Sequence, residues 1–100
     1  MFVSVILDPG AAESATALAQ ILTFYGYQKK QRSCWEHNSV SEERFTALKK
    51  DIDRVTDYYD KVRFYHYPVQ GAMAITELKQ KKWRKMLMKS SADDAQKNTQ

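Results

Sequence analysis

Apolar positions along this chain fall into blocks whose spacing alternates between two and three-to-four residues. Phe2 to Leu7 is a run of β-branched and apolar residues that stops at Asp8-Pro9-Gly10, the pattern of a buried central strand ending in a turn. Ala15, Leu18, Ala19, Leu22 and Tyr25 follow at helical spacing, with Ile21 and Phe24 widening the stripe. A helix is therefore predicted over residues 11–25, entered through Pro9 and ended by Gly26. Residues 27–38 lose that period and mix aromatic with polar types, which predicts a bent ribbon or a tight hairpin breaking near Arg32-Ser33. Ser39 and Glu42 have capping-box spacing, with Ser41 as an alternative cap. Phe45, Leu48, Ile52, Val55 and Tyr59 then form a second amphipathic stripe.

In the next block Val62, Phe64 and His66 alternate with Arg63, Tyr65 and Tyr67, a strand closed by Pro68 and Gly71. The order β-α-(β or ββ)-α-β at this length predicts an α+β, ferredoxin-like βαββαβ sandwich. The last third supports two patterns. Residues 72–78 alternate like a strand, whereas Ile75, Leu78, Trp83, Met86 and Leu87 approximate a helical face. The expectation is a domain over 1–78 that includes a C-terminal strand, then a basic extension over 79–89 to which a helical conformation is open. From Ser90 onward no bulky apolar residue occurs, which predicts a frayed tail over 90–100.

Charge and composition add modestly to this picture. One hundred residues, 43% of them hydrophobic and 28% charged, bound a single globular domain. No apolar run approaches the ~20 residues a bilayer needs. With no leader-like segment at the N-terminus and a lone Cys34, a cytoplasmic, reducing location is expected, without a membrane partner. The net charge of +4 is a mild bias toward polyanions, but its placement is sharper. Lys79, Lys81, Lys82, Arg84, Lys85 and Lys89 form a run without an acid, and Lys29, Lys30 and Arg32 form a smaller one. Both are candidate nucleic-acid contacts, a solvated face being the alternative. Aromatic residues interleave with the smaller run at Tyr25, Tyr27 and Trp35, and with Arg63 at Tyr65 and Tyr67, where they either stack bases or cover sheet.

Candidate chemistry is sparse. There is no CxxC, HExxH, P-loop or GxGxxG motif, and His37 and His66 stand apart. What remains is Asp8 at the carboxyl end of the first strand, where open α/β sheets place ligands. Before Pro9 it is also a good helix N-cap. A hard cation such as Mg²⁺ takes one or two carboxylates plus water and phosphate oxygens. Two copies of Asp8 across a dimer axis would supply such a pair.

These pieces together resemble a known family. A first strand ending in Asp8, then Tyr25-Gly26-Tyr27, then Gln31-Arg32-Ser33-Cys34-Trp35-Glu36, then Lys61-Val62-Arg63-Phe64-Tyr65, is similar to the small CRISPR-associated Cas2 proteins. The likeness covers roughly residues 1–70 in order and spacing, with Tyr25, Gly26, Gln31, Ser33 and Trp35 at motif positions. Cys34 and Trp35 replace a more usual Val-Phe. The resemblance implies a ferredoxin-like homodimer with its extra C-terminal strand exchanged across the two protomers. It implies antiviral spacer acquisition with the CRISPR integrase subunit, and binding of duplex DNA. For some members it also implies Mg²⁺-dependent endonuclease activity on RNA or DNA, which would make Asp8 the catalytic residue and metal ligand here. Relatives often carry arginines where this chain reads Ala11-Ala12-Glu13-Ser14-Ala15, which weakens the expected phosphate contacts beside Asp8. Two functional classes follow, a DNA-binding adaptor and a metal-dependent phosphodiesterase. A stand-alone endoribonuclease of toxin type on the same fold is the alternative.

Overall fold

In the computed structural model, which describes residues 1–69 and 72–89, the strands are β1 (Val3–Asp8), β2 (Gln28–Gln31), β3 (Cys34–His37), β4 (Lys61–Val69), β5 (Ala72–Lys79) and β6 (Lys82–Lys89). Helix α1 (Ala12–Phe24) follows β1, and α2 (Glu42–Val55) follows β3. All six strands join one antiparallel sheet in the order β2-β3-β1-β4-β5-β6. The first four keep the ferredoxin-like arrangement, and β5 and β6 extend the sheet beyond β4 within the same chain.

Side-chain alternation divides the sheet into two faces. Val3, Val5 and Leu7 of β1, Trp35 of β3, Val62 and Phe64 of β4 and Leu78 of β5 point toward the helices. They meet Leu18 and Leu22 of α1 and Phe45, Leu48 and Ile52 of α2, all essentially solvent-free. The central residues of both amphipathic stripes therefore reach one core, whereas Phe24, Val55 and Tyr59 stay exposed, Tyr59 beyond the end of α2. The second helix starts at the alternative cap: Ser41 Oγ accepts from the Arg44 N–H at 3.1 Å, and Ser39 lies outside. The first helix ends in a Schellman motif. Tyr27 N–H reaches Leu22 O at 2.9 Å, Gly26 N–H reaches Thr23 O at 3.0 Å, and Gly26 has φ +87°.

Two expectations change. The extension over 79–89 is a strand and not a helix, because Gln80 and Lys81 both take positive φ (54° and 59°) and close a two-residue hairpin. The signal was hidden because neither turn residue is Gly, Asn or Asp. Asp8 does not cap α1. The N-cap position is Ala11, which makes no side-chain hydrogen bond. The expected tail at 90–100 and the strand-closing Gly71 lie outside the described residues.

The carboxylate that organises the β1–α1 connection is Asp60. It is fully buried and accepts from the Gly10 N–H at 2.7 Å and the Asp57 N–H at 2.8 Å. One side chain thus clamps the loop after β1 to the loop before β4. Gly10 is required there, since a Cβ would stand 2.7 Å from Tyr59 Cβ and 2.9 Å from Tyr59 O. Burial pushes the Asp60 carboxyl up, but bonds from the Gly10 and Asp57 amides and the Ser14 hydroxyl outweigh it and hold it below the usual carboxylate range. A carboxylate with a depressed native pKa stabilises the fold above its unfolded pKa and loses that contribution as pH falls through the native one. Asp60→Asn is expected to cost about 2–3 kcal/mol at neutral pH. The gap from wild type should close as pH drops below ~3.9. Urea unfolding at stepped pH measures both.

Candidate functional site

With the β1–α1 loop clamped, Asp8 is presented at the end of β1 on the sheet face that carries no helix. Ser4, Ile6 and Asp8 share that face, and Asp8 is exposed. Its carboxylate makes no hydrogen bond or ion pair among the described residues. Cross-strand register gives it neighbours that one-dimensional reading cannot: Asp8 pairs with Lys61, Lys61 with Lys79, and Lys79 with Lys82. Paired residues point to the same side of a sheet. One acid and three lysines therefore form a row across β1, β4, β5 and β6. At a strand spacing of ~4.8 Å the row spans roughly 14 Å.

The adjoining row on this face is Ile6-Arg63-Glu77-Arg84. Arg63 donates to Glu77 at 3.0 Å, an ion pair that leaves Arg84 without a partner among the described residues. Arg32 and Ser33 form the β2–β3 turn, and Ser33 O accepts from the Leu7 N–H at 2.9 Å. Arg32 therefore lies at the same end of the sheet as Asp8. Lys29, Lys30 and Gln31 lie exposed on β2 at the opposite edge from β6, about five strand spacings or ~24 Å away. The two basic runs are thus not one patch. Asp8, Arg32, Lys61, Lys79 and Lys82 are gathered at one end of the sheet, with Arg84 one row inward. Lys61 joins this group only through strand register, so nothing in the sequence marks it as a candidate.

Other candidates take different places. Lys81 is engaged by its own chain. Its Nζ donates to Asp53 O at 2.6 Å and Thr56 O at 3.2 Å and stands 3.3 Å from Asp53 Oδ1, closing the carboxyl end of α2. The Trp83 indole N–H donates to the same carboxylate at 3.1 Å. That indole bond, followed by Lys81, holds Asp53 below the ordinary carboxylate range against the opposing effect of burial. Lys85 lies on the helix side of the sheet, paired with Thr76.

Tyr25, Tyr27 and Trp35 are buried in the core and are not free to stack on bases. Tyr25 Oη donates to Asp51 Oδ2 at 2.6 Å and ties α1 to α2, with Arg44 over its ring at 4.5 Å. That bond, with burial second, raises the Tyr25 pKa. Burial alone drives Tyr27 higher still. Of the two separate histidines, His66 is buried, with Nε2 2.8 Å from Thr76 Oγ1. Burial lowers its pKa, as does the nearby Lys85 charge. Cys34 Sγ sits 3.7 Å from Ser4 Oγ as a half-buried packing thiol.

Comparison with known families then decides the class. The family model described as CRISPR associated protein Cas2 matches residues 1–86. The chain belongs to the Cas2 family. Searches of curated proteins and of solved structures returned no match. Cas2 membership places the chain in CRISPR adaptation, and no described helix is long and apolar enough to cross a membrane.

Within one Cas2 chain, no group of three or more His, Cys, Asp or Glu side chains is assembled for a metal among the described residues. Asp8 alone fits the part of one carboxylate ligand: it is exposed and has both oxygens free. The docking of Lys81 gives a direct prediction. Lys81→Met should lower the unfolding free energy by about 0.5–1 kcal/mol, because the helix C-terminus gives up its cation. Duplex DNA affinity and its salt slope should stay at wild-type values in a fluorescence anisotropy titration.

Proposed function

We propose that this Cas2 protein acts as a dimeric adaptor that holds duplex DNA for the CRISPR integrase subunit during spacer acquisition. The observation that carries the reading is the Asp8-Lys61-Lys79-Lys82 row on the helix-free face, flanked by Arg32 and Arg84. Three lysines at strand spacing match a backbone that presents a negative charge every few ångströms. The uncapped start of α1 lies at the same end and adds the positive pole of its dipole.

A second copy of the chain suits the apolar part of this face. Ile6, Tyr67, Met86 and Met88 are 37–52% exposed, more apolar surface than one strand face usually leaves to water. Packing of the C-terminal strands against a partner sheet, with or without their exchange, would cover it. Ile6→Glu and Met86→Glu should each convert a dimer to a monomer in size-exclusion chromatography with light scattering. Unchanged dimer mass in both would remove this face as the dimer interface, and a monomeric wild type would remove the dimer from the reading.

Metal-dependent phosphodiester cleavage is the second reading, supported by the free, exposed carboxylate of Asp8. Two such carboxylates across a dimer axis could hold Mg²⁺, whose contribution would be to activate water and neutralise phosphate charge. The chain's own part is to present Asp8 at a rigid strand end and to hold the phosphodiester beside it with Lys61, Lys79 and Lys82.

Reconstituted spacer integration and Mg²⁺-dependent cleavage, run on one preparation, separate the two readings. Asp8→Ala is expected to keep integration and lose cleavage. The triple change Lys61→Ala, Lys79→Ala, Lys82→Ala should weaken DNA binding and flatten the log–log salt slope by ~0.9 for each phosphate that is no longer neutralised. RNA cleavage without any integration would favour the stand-alone endoribonuclease.

A further inference from the structure

On the other side of the sheet a cleft of about 530 Å³ opens between α2 and the β5–β6 hairpin. Lys49, Lys50 and Asp53 line it from the helix, Thr76 from β5, and Trp83, Arg84 and Lys85 from β6. Two acids of α2 near this cleft are already committed. Asp51 binds Arg54 at 2.8 Å and Tyr25 at 2.6 Å. Asp53 holds Lys81 and the Trp83 indole. Lys49, Lys50 and Lys85 are left without an ion pair among the described residues.

Two of these lysines work against each other. Lys49 is half-buried, its ammonium 4.8 Å from the centre of the Phe45 ring. Burial, and next the charge of Lys85, lower its pKa, with Glu42 in the first turn of α2 offsetting part of the effect. His66, behind Thr76, responds to the same two lysines and to Glu42, and its burial outweighs them. A cleft that gathers more basic than acidic groups and partly desolvates them is complementary to an anion. Lysines act as point charges for phosphate, and the Arg84 guanidinium at the cleft rim is a fork that also suits phosphate oxygens. A phosphate monoester carries about −1.5 to −2 at neutral pH and so answers two ammonium groups. The Trp83 ring on the cleft wall offers a flat surface to an attached base.

We propose that this cleft is a phosphomonoester site, built by Lys49 and Lys85, for the 5′-phosphate of a nucleic-acid strand or of a free nucleotide. It lies across the sheet from the Asp8 row, with Arg84 of the edge strand at the border of both.

The experiment follows the indole N–H resonance of Trp83 in ¹⁵N-labelled full-length protein, distinguished from that of Trp35 by Trp35→Phe. The probes are one short single-stranded oligonucleotide with and without its 5′-phosphate, adenosine monophosphate, and inorganic phosphate. The 5′-phosphorylated strand is expected to shift the Trp83 signal and to bind at least about tenfold tighter than its hydroxyl-ended twin, the size of one charge-assisted contact. Lys49→Met and Lys85→Met, which keep the aliphatic stems, should each erase that preference. Each should also raise the midpoint of thermal unfolding without ligand, because a repulsion is removed. A strand that binds tighter than the mononucleotide identifies a strand end, and equal affinities identify a nucleotide. Equal binding of phosphorylated and hydroxyl-ended strands with a static Trp83 signal overturns the proposal. So does an undiminished preference in a folded Lys49→Met, Lys85→Met double variant. The Asp8 face moves neither the indole signal nor the phosphate preference, so the two readings fail separately.

Discussion

Asp60 is the constraint on which the Asp8 end of the sheet depends. A buried carboxylate is costly unless hydrogen bonds replace its water, and here backbone amides from two loops do so. The result is mutual. The amides of Gly10 and Asp57 are satisfied away from solvent, and the chain leaves β1 along a path with no room for a side chain at Gly10. Asp8 inherits its rigidity from that arrangement. Sequence reading gives Asp8 both a candidate functional role and a structural one, whereas in the fold the structural role belongs to Asp60 and Asp8 is left free.

The two faces of the sheet divide the chemistry. One carries α1 and α2 and the core, with a basic cleft at its margin where α2 meets β6. The other carries no helix, and its charge is graded: a lysine row beside Asp8, then a mixed row with the Arg63–Glu77 ion pair, then Ser4, Tyr65, Ile75 and Met86. Such grading suits a surface that meets a polyanion at one end and protein at the other. It also explains why the modest net charge says little. The basic residues among those described are spread over β2, one helix end, one cleft and one row.

Much of this was legible because it rests on local patterns. The stripes Leu18-Leu22 and Phe45-Leu48-Ile52 and the alternation of Val62-Phe64-His66 follow from burial alone, and all reach the core as expected. The break at Arg32-Ser33 was visible because the pattern of its flanking strands changes there. What stayed hidden depends on contacts distant in sequence. Asp60 meets Gly10 across fifty residues, Lys61 joins Asp8 only through strand register, and the Gln80-Lys81 turn uses residues that rarely adopt positive φ. That turn is held from outside its own sequence, since Lys81 is anchored on α2 and Trp83 lies against Phe64 at 6.1 Å between ring centres. The aromatic residues at 25, 27 and 35 looked like a binding surface because composition cannot say which side of a strand or helix faces water.

The latch formed by Lys81 and Trp83 on Asp53 also bears on how two copies could come together. If the β5–β6 hairpin were traded between protomers, each copy would remake the same latch on the α2 of its neighbour. Closed and exchanged forms would then differ little in contact energy. Passing between them would require the latch, the indole packing on Phe64 and the ladder to β4 to open at once. The barrier would be set by local unfolding and not by equilibrium preference. A population of this protein would then keep the pairing it acquired while folding, so that assembly state records folding history.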